Sequence, residues 1–574
     1  MTEPLHDYAF IADGERGALV GPQGDIDWMC FPRWHSPAVF AGLVGGAGRF
    51  TVRPHQPCVS GGAYEDDSLV WKSRWLNGQG VLECRQALAL PSSPNRVTML
   101  RRICATRGDH HVQVSLQPAQ EYGRVVAGRW SGRGSVRCWT ARGGDVEWRL
   151  SGIAGARVKR DSLEMTLALH EGETHDLVLE IGDDLDSPVS ADELWDSTAA
   201  MWRRALEAVP STREIRHSFA ILRGMTASTG GTVAAATTSL PERADHGSYD
   251  YRYVWIRDLC FMGAATAVAH CDDFAAPAAR FVTERLLADG DQLAPAYTVD
   301  GDPVPAERHV GFTGYPGGGD VVGNDVRSQF QLDPFGEALR FFALCDELGV
   351  LDTAGWRAAR VAAQTITDRW TEPDAGIWEL DARRWTYTRL ACIAGLRAIA
   401  ARPGAEDDSR DWLRVADQIL VELAATACRE NGAWQRAPDD ARIDASLVLG
   451  GLRGAIPATD PRHRATVDAV ERELAKDGYV YRFREDEDRS PDDFEGAFVL
   501  CNLWMSLSAT ADGDLVKATR WFERALATAG PAGLFAEEFD VRQRELKGNL
   551  PQAFVHALVI EAAHAICESE VASG

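Results

Sequence analysis

Four short stretches of the chain gather carboxylates, guanidiniums and aromatic rings in combinations suited to a carbohydrate. The first is Tyr249-Asp250-Tyr251-Arg252-Tyr253-Val254-Trp255-Ile256-Arg257-Asp258, where tyrosines and a tryptophan precede an Arg-Asp pair. The second is Gly376-Ile377-Trp378-Glu379 and the third Tyr481-Arg482-Phe483. The fourth is Leu534-Phe535-Ala536-Glu537-Glu538-Phe539-Asp540. Apolar sugar faces stack on aromatic rings, while hydroxyls are fixed by planar charged partners such as Arg and Asp. Two carboxylates on opposite sides of a glycosidic bond are the usual machinery for its hydrolysis. Taken singly, each stretch has a plainer reading. Trp378 can pack beside a solvated Glu379, Glu537 and Glu538 can form a solvated patch, Asp258 can cap a helix, and Tyr249 to Trp255 can be core. What separates the two readings is where the stretches lie relative to the elements that must hold them.

From residue 213 onward the apolar residues recur with helical spacing, which predicts twelve helices. They cover 215–226, 255–270, 273–289, 333–348, 353–370, 386–401, 408–428, 445–455, 461–474, 496–510, 514–529 and 552–569. Twelve helices pair into six helical hairpins, and the absence of a sequence repeat excludes a solenoid array. Short links alternate with long ones, the latter at 227–254, 290–332, 371–385, 475–495 and 530–551. In an up-down arrangement all long links leave on one face, and long loops in compact domains usually carry function. All four stretches fall on that face.

Before residue 185 the pattern is different. Alternating segments flank turn-forming residues in five places: 18–20 with 26–30, 68–76 with 81–90, 97–105 with 111–116, 136–141 with 146–150, and 162–169 with 175–181. Five consecutive hairpins predict an antiparallel β-sandwich. The predicted division is therefore a β-sandwich domain at 1–185, a linker with a helix (193–208) at 186–212, and a helical catalytic domain at 213–574.

Composition removes other classes. With 60 basic and 84 acidic side chains the net charge is −24, which disfavours nucleic-acid partners because these require a basic face. No apolar run approaches the ~18 residues of a membrane span, and the first ten residues lack a signal-peptide pattern. The 12 cysteines are scattered without a Cys-x-x-Cys pair, so a reduced, cytoplasmic protein is expected. Gly314 to Asp320 is glycine-rich but lacks the Lys-Ser/Thr of a phosphate cradle. The acidic run 485–488 with Asp492 and Asp493 lacks calcium-loop spacing, and His110-His111 is expected at an exposed hairpin turn. There is no Gly-x-Ser-x-Gly elbow.

At these residues the chain resembles glycoside hydrolase family 15, the glucoamylase-like enzymes, in its bacterial branch. His6 to Asp13, Gly24 to Trp28 and Phe31-Pro32-Arg33 resemble the family's N-terminal β-domain. The segments TTSLPE (237–242), YDYRYVWIRD (249–258), QFQLDPFGE (329–337), EGAFVLC (495–501) and GNLPQAF (548–554) resemble its barrel motifs. The resemblance implies an (α/α)6 barrel behind the β-sandwich and inverting, exo-acting hydrolysis of α-glucosides without metal or cofactor. It makes Glu379 the general acid and Glu537 the general base. Tyr251, Trp255, Arg257, Asp258, Trp378 and Arg482 then line the glucose site, and Glu538 orients the base or the water. Fungal members carry a second acidic residue after the acid, where this chain has Leu380, so contacts to the leaving sugar differ. The expected substrate is a short soluble oligosaccharide of the isomaltose or malto-oligosaccharide type, with α,α-trehalose as the alternative. An inverting phosphorylase and a non-catalytic sugar-binding protein are more remote readings, and a homo-oligomeric state is left open.

Overall fold

The computed structural model describes residues 3–66, 68–126, 130–132, 138–143, 146–183, 185, 189–242, 248–484 and 495–573. The predicted strand 136–141 begins in, the 143–145 turn overlaps, and the acidic run 485–493 lies within, the residues outside this description.

Among the described residues seventeen strands precede the first long helix. They are β1 (Ala9–Ala12), β2 (Gly17–Val20), β3 (Asp25–Cys30), β4 (Ala38–Phe40), β5 (Arg49–Pro54), β6 (Val59–Tyr64), β7 (Trp71–Asn77), β8 (Gly80–Leu88) and β9 (Arg96–Arg107). There follow β10 (His110–Gln117), β11 (Ala119–Gln120), β12 (Val125–Val126), β13 (Cys138–Gly143), β14 (Val146–Ser151), β15 (Arg157–Lys159), β16 (Ser162–Leu169) and β17 (Thr174–Gly182). One sheet runs β1-β2-β3-β5-β10-β16-β15 with β4 beside β3, and the other β13-β14-β17-β9-β8-β7-β6. Their inner faces meet through rings such as Phe40 and Trp148, 5.8 Å apart. Arg101 of β9 is fully buried between them and donates to the carbonyls of Phe50 (2.8 Å) and Gly24 (2.7 Å) of the opposite layer. A buried guanidinium is tolerable only when backbone acceptors replace its water.

Three of the five predicted hairpins pair as expected: β2 with β3, β7 with β8, and β13 with β14. The other two do not. β9 and β10 belong to different sheets, as do β16 and β17, so the turns at 107–109 and 171–173 are corners where the chain crosses between layers. The alternating pattern is the same on either side of a corner and a hairpin, so periodicity cannot separate them. The same corner corrects the reading of the histidine pair: His110 is buried and its Nε2 lies 3.0 Å from the Arg107 carbonyl, while His111 is exposed.

The helices are α1 (Ala191–Leu206), α2 (Arg213–Gly224), α3 (Ile256–Val268), α4 (Asp272–Asp289), α5 (Asp333–Glu347), α6 (Thr353–Arg369) and α7 (Thr386–Ala400). The rest are α8 (Ser409–Thr426), α9 (Leu449–Leu452), α10 (Pro461–Leu474), α11 (Val499–Ala511), α12 (Leu515–Leu526) and α13 (Ala553–Ser573). Helix α3 packs on α5, α5 on α7, α7 on α9, α9 on α11, α11 on α13 and α13 on α3, closing an inner ring. The even-numbered helices form the outer layer of an (α/α)6 barrel. Sequence dictates the sorting: α11 is buried from Val499 to Ala509, whereas α12 buries only Ala518, Trp521, Phe522 and Ala525.

Two boundaries differ from periodicity. The predicted helix 445–455 is a 3-10 turn (Ala445–Val448) and the single turn of α9, ending at Gly454 with φ +83°. A Cβ on Gly451 would meet the His463 ring at 2.4 Å, so glycine is required for that close approach, at a cost in helix length. The predicted helix 496–510 starts three residues late because Ala497–Phe498 pairs with Glu538–Asp540, which pairs in turn with Glu545–Lys547. The 530–551 link is therefore partly a small sheet.

Candidate active site

The long connections between outer and inner helices converge on one end of the barrel around a cavity of about 350 Å³. Its walls include all nine residues singled out from sequence: Tyr251, Trp255, Arg257, Asp258, Trp378, Glu379, Arg482, Glu537 and Glu538.

Glu379 sits in the turn after α6, with its backbone at φ +55°, a region costly for a residue with a Cβ. Asp374 holds that turn. Its carboxylate accepts from Gly376 N and Thr388 Oγ1 (both 2.9 Å) and pairs with the buried Arg389. Leu380 N donates to the Ala375 carbonyl (2.9 Å), closing the turn around the glutamate. Three donors then converge on one oxygen of Glu379. Trp255 Nε1 lies 2.6 Å, Gln331 Nε2 3.2 Å and Arg257 Nη2 3.7 Å from Oε1.

Arg257 and Asp258 are brought here by the start of α3, where both are buried. The guanidinium donates to Gln331 Oε1 (2.8 Å) and faces Asp333 (3.4 Å) and Asp258 (3.3 Å). Burial alone lowers the affinity of Arg257 for its proton, but Asp333, Asp258 and Glu379 more than offset this and hold it charged. Burial pushes the Asp258 carboxyl up to about 6 against the pull of Arg257, and Asp333 to about 7.

Across the cavity, Tyr251 OH donates to Glu537 Oε2 at 3.0 Å. Burial raises Glu537 to about 7, with Tyr251 and Arg482 opposing and the charges of Asp258 and Glu379 adding. Its neighbour Glu538 accepts from Gly496 N (2.8 Å) and is raised by burial and then by Glu495. Arg482 is clamped by Glu495 (Nη2 to Oε2, 2.7 Å), with its guanidinium carbon 4.7 Å from the Phe498 ring centre and 5.7 Å from that of Trp378. Trp378 is held from behind: its Nε1 donates to both oxygens of Asp444 at 2.9 Å and its ring packs on Phe498 and Trp504.

The sequence reading passed over several of these. Asp444 lies at the end of the 427–444 connection, which the pattern of long links did not single out. Gln331 and Asp333 stand inside the QFQLDPFGE motif, and Glu242 ends TTSLPE, but neither motif marks which polar residue points inward. Glu242 is buried on the cavity wall and accepts from Asn549 Nδ2 at 3.4 Å. Burial and the nearby charges of Glu537 and Glu538 push it well above the carboxylate range. Arg252 is buried in an ion pair with Asp250 (2.6 Å) and donates to the Ser36 carbonyl (2.9 Å) and Tyr122 OH (3.1 Å), docking the site on the β-sandwich. Among the described residues no group of His, Cys, Asp and Glu is arranged to hold a metal ion, and no helix is long and apolar enough to cross a membrane.

This constellation coincides with a family signature. The sequence pattern of glycosyl hydrolases family 15 matches residues 217–564, and that of the trehalase-like N-terminal domain matches 1–174. The chain belongs to glycosyl hydrolase family 15. It is a glycoside hydrolase, and two relatives align along almost its whole length. A protein named trehalase from Mycobacterium tuberculosis is 30% identical over 99% of this chain and 90% of its own. Another trehalase, from Mycolicibacterium smegmatis, is 30% identical over 99% of this chain and 92% of its own. In fold, this family 15 hydrolase is similar to a bacterial glucoamylase whose crystal structure was solved with acarbose. The TM-score is 0.75 over 99% of this chain and 94% of that one, at 16% identity.

Proposed function

We propose that this family 15 hydrolase cleaves α,α-trehalose into two glucose molecules with inversion at the attacked carbon. The observation that carries the choice of substrate is the full-length similarity to two trehalases. It favours the alternative over the isomaltose and malto-oligosaccharide reading expected from sequence. The cavity, of about 350 Å³ with a buried floor, supports a small substrate entering by one end.

The surroundings of each side chain support its proposed role. Glu379 serves as general acid. Trp255, Gln331 and Arg257 all address Oε1, which leaves Oε2 to carry the proton to the glycosidic oxygen. Glu537 serves as general base, taking a proton from water as its oxygen bonds to the anomeric carbon. Its value of about 7 matches a base working near neutrality, and Tyr251 orients its Oε2. As the C1–O bond breaks, the leaving glucose keeps its α configuration and the attacked one becomes β. Asp258 and Arg257 fix hydroxyls of the attacked ring, Trp255 and Tyr251 cover its face, Trp378 and Arg482 shape the wall, and Glu538 steadies the base.

The test is kcat/KM on trehalose, isomaltose, maltose and panose, with proton NMR of the first products. Trehalose is expected to dominate and to give equal α- and β-glucose at early times. Two α-glucose molecules would refute inversion, and preference for isomaltose or maltose would refute the substrate.

A further inference from the structure

The cavity changes character from floor to mouth. Trp255, Arg257, Asp258, Arg482 and Glu538 are buried, whereas at the rim Tyr249, Glu307, Asp325 and Ser328 are exposed and Gln329 is half-buried. Four of those five rim residues come from one connection, between α4 and α5. Within it Arg308–His309 pairs with Val321–Val322 as a short β-hairpin, and Glu307 and Asp325 stand at the base of its stem.

The stem is pinned on its inner side. Glu307 N donates to Asp325 Oδ1 (3.0 Å), Asn324 N to the Pro305 carbonyl (2.9 Å), and Gly323 N to Asp250 Oδ2 (2.9 Å). Gly323 has φ +81°, and a Cβ there would lie 2.3 Å from the Ala306 carbonyl oxygen, so the two legs cross at a distance only glycine permits. The outer end rests on the β-sandwich. Arg124 donates to the Val310 carbonyl, Gly314 N to the Val44 carbonyl (3.1 Å), and Tyr315 OH to the Glu3 carbonyl (3.0 Å). The rings of Phe312 and Tyr122 meet at 5.3 Å.

We propose that this hairpin selects the leaving sugar: Glu307, with Gln329 on the same cavity wall, receives hydroxyls of the departing glucose, and the β-sandwich fixes the hairpin's position. In a site closed at its floor, the ring being attacked occupies the floor and the leaving group the mouth. Leu380, next to Glu379, offers that group no hydrogen bond, so its polar contacts must come from elsewhere on the rim. Of the two rim carboxylates, Asp325 spends an oxygen on holding the Glu307 backbone, and Glu307 is the one so held; a pre-positioned acceptor binds at less entropic cost than a mobile one. Gln329 accepts from Gln331 Nε2 (3.1 Å) through its amide oxygen, which leaves its NH2 to donate. The proposal rests on the disaccharide-hydrolase reading above and adds the residues that choose its leaving group.

The experiment compares trehalose with α-D-glucosyl fluoride on the full chain, because fluoride departs without needing a sugar contact. Glu307→Ala is expected to lower kcat/KM for trehalose about 10- to 100-fold, and Glu307→Gln less, with the fluoride changed under about twofold. Arg124→Ala, on the β-sandwich, is expected to show the same asymmetry more weakly at an unchanged Tm. Equal losses on both substrates, or no loss on either, would overturn the assignment of Glu307. An unchanged ratio in Arg124→Ala would remove the β-sandwich from it. If the unmodified enzyme hydrolyses the fluoride but not trehalose, the substrate reading fails by itself. The asymmetry is then required against whichever disaccharide the panel selects.

Discussion

At the floor of the cavity Arg257 stands among Asp258, Asp333 and Glu379, all within 3.7 Å of its guanidinium, whereas at the mouth Glu307 has a backbone tether and a carboxylate exposed to water. The floor sets charges where each depends on the others, so removing one strands its partners in a low dielectric. The mouth sets charges that water already solvates, so changing one alters what is recognised and little of what is folded. On the proposed reading, reaction chemistry and leaving-group choice fall in regions with different structural tolerance.

The largest expected effects lie at the floor. Glu379→Gln and Glu537→Gln should each lower kcat by about 10²- to 10⁴-fold while substrate binding remains measurable by calorimetry. Activity within tenfold of the unmodified enzyme would remove that residue from its role. Next is Arg257→Met, which leaves three carboxylates without their cation. It should abolish activity and destabilise the fold by about 3–5 kcal/mol, read as a lowered Tm. An unchanged Tm would contradict the view that the floor charges are mutually dependent.

A third expectation sets activity against stability through Glu537. Its carboxyl is raised from 4.5 to about 7 in the folded enzyme, so folding favours the protonated form. The stability from that protonation is fully present below 4.5 and lost as pH rises through about 7, while base catalysis appears over the same range. The kcat/KM profile should therefore fall on the acid side of about 7. Glu537→Gln should be more stable than the unmodified enzyme above that pH and lose its advantage below 4.5. Thermal melts across the range check the crossover. Trp378→Phe, which removes the N–H bonded to Asp444 and part of the ring packed on Phe498 and Trp504, should cost about tenfold in kcat, consistent with a positioning role. At the mouth, Glu307→Ala should change stability by less than about 0.5 kcal/mol, measured by urea denaturation. A large loss there would erase the contrast between the two regions.

Apart from 445–455, the predicted helices and the strand-to-helix change of character were legible because burial imposes its period on the sequence. The aromatic and acidic stretches were legible because they interrupt that period in long connections, and all nine of their singled-out residues meet in one cavity. The corners at 107–109 and 171–173 were not legible, since a strand that changes sheets alternates as a hairpin strand does. Asp444, Gln331 and Glu242 were not legible for a related reason. One polar residue in a loop looks like any other until its neighbours are known.

The sequence alone determined where strands give way to helices, where most of those helices lie, and which connections are long enough to carry chemistry. These are local consequences of side-chain spacing and length. The tertiary structure decided which oxygen of Glu379 is addressed by donors, that burial lifts Glu537, and that the β-sandwich buttresses a hairpin at the mouth. Each depends on residues brought together from distant parts of the chain. Hydrogen bonds and desolvation act over a few ångströms of space, whatever the separation in sequence.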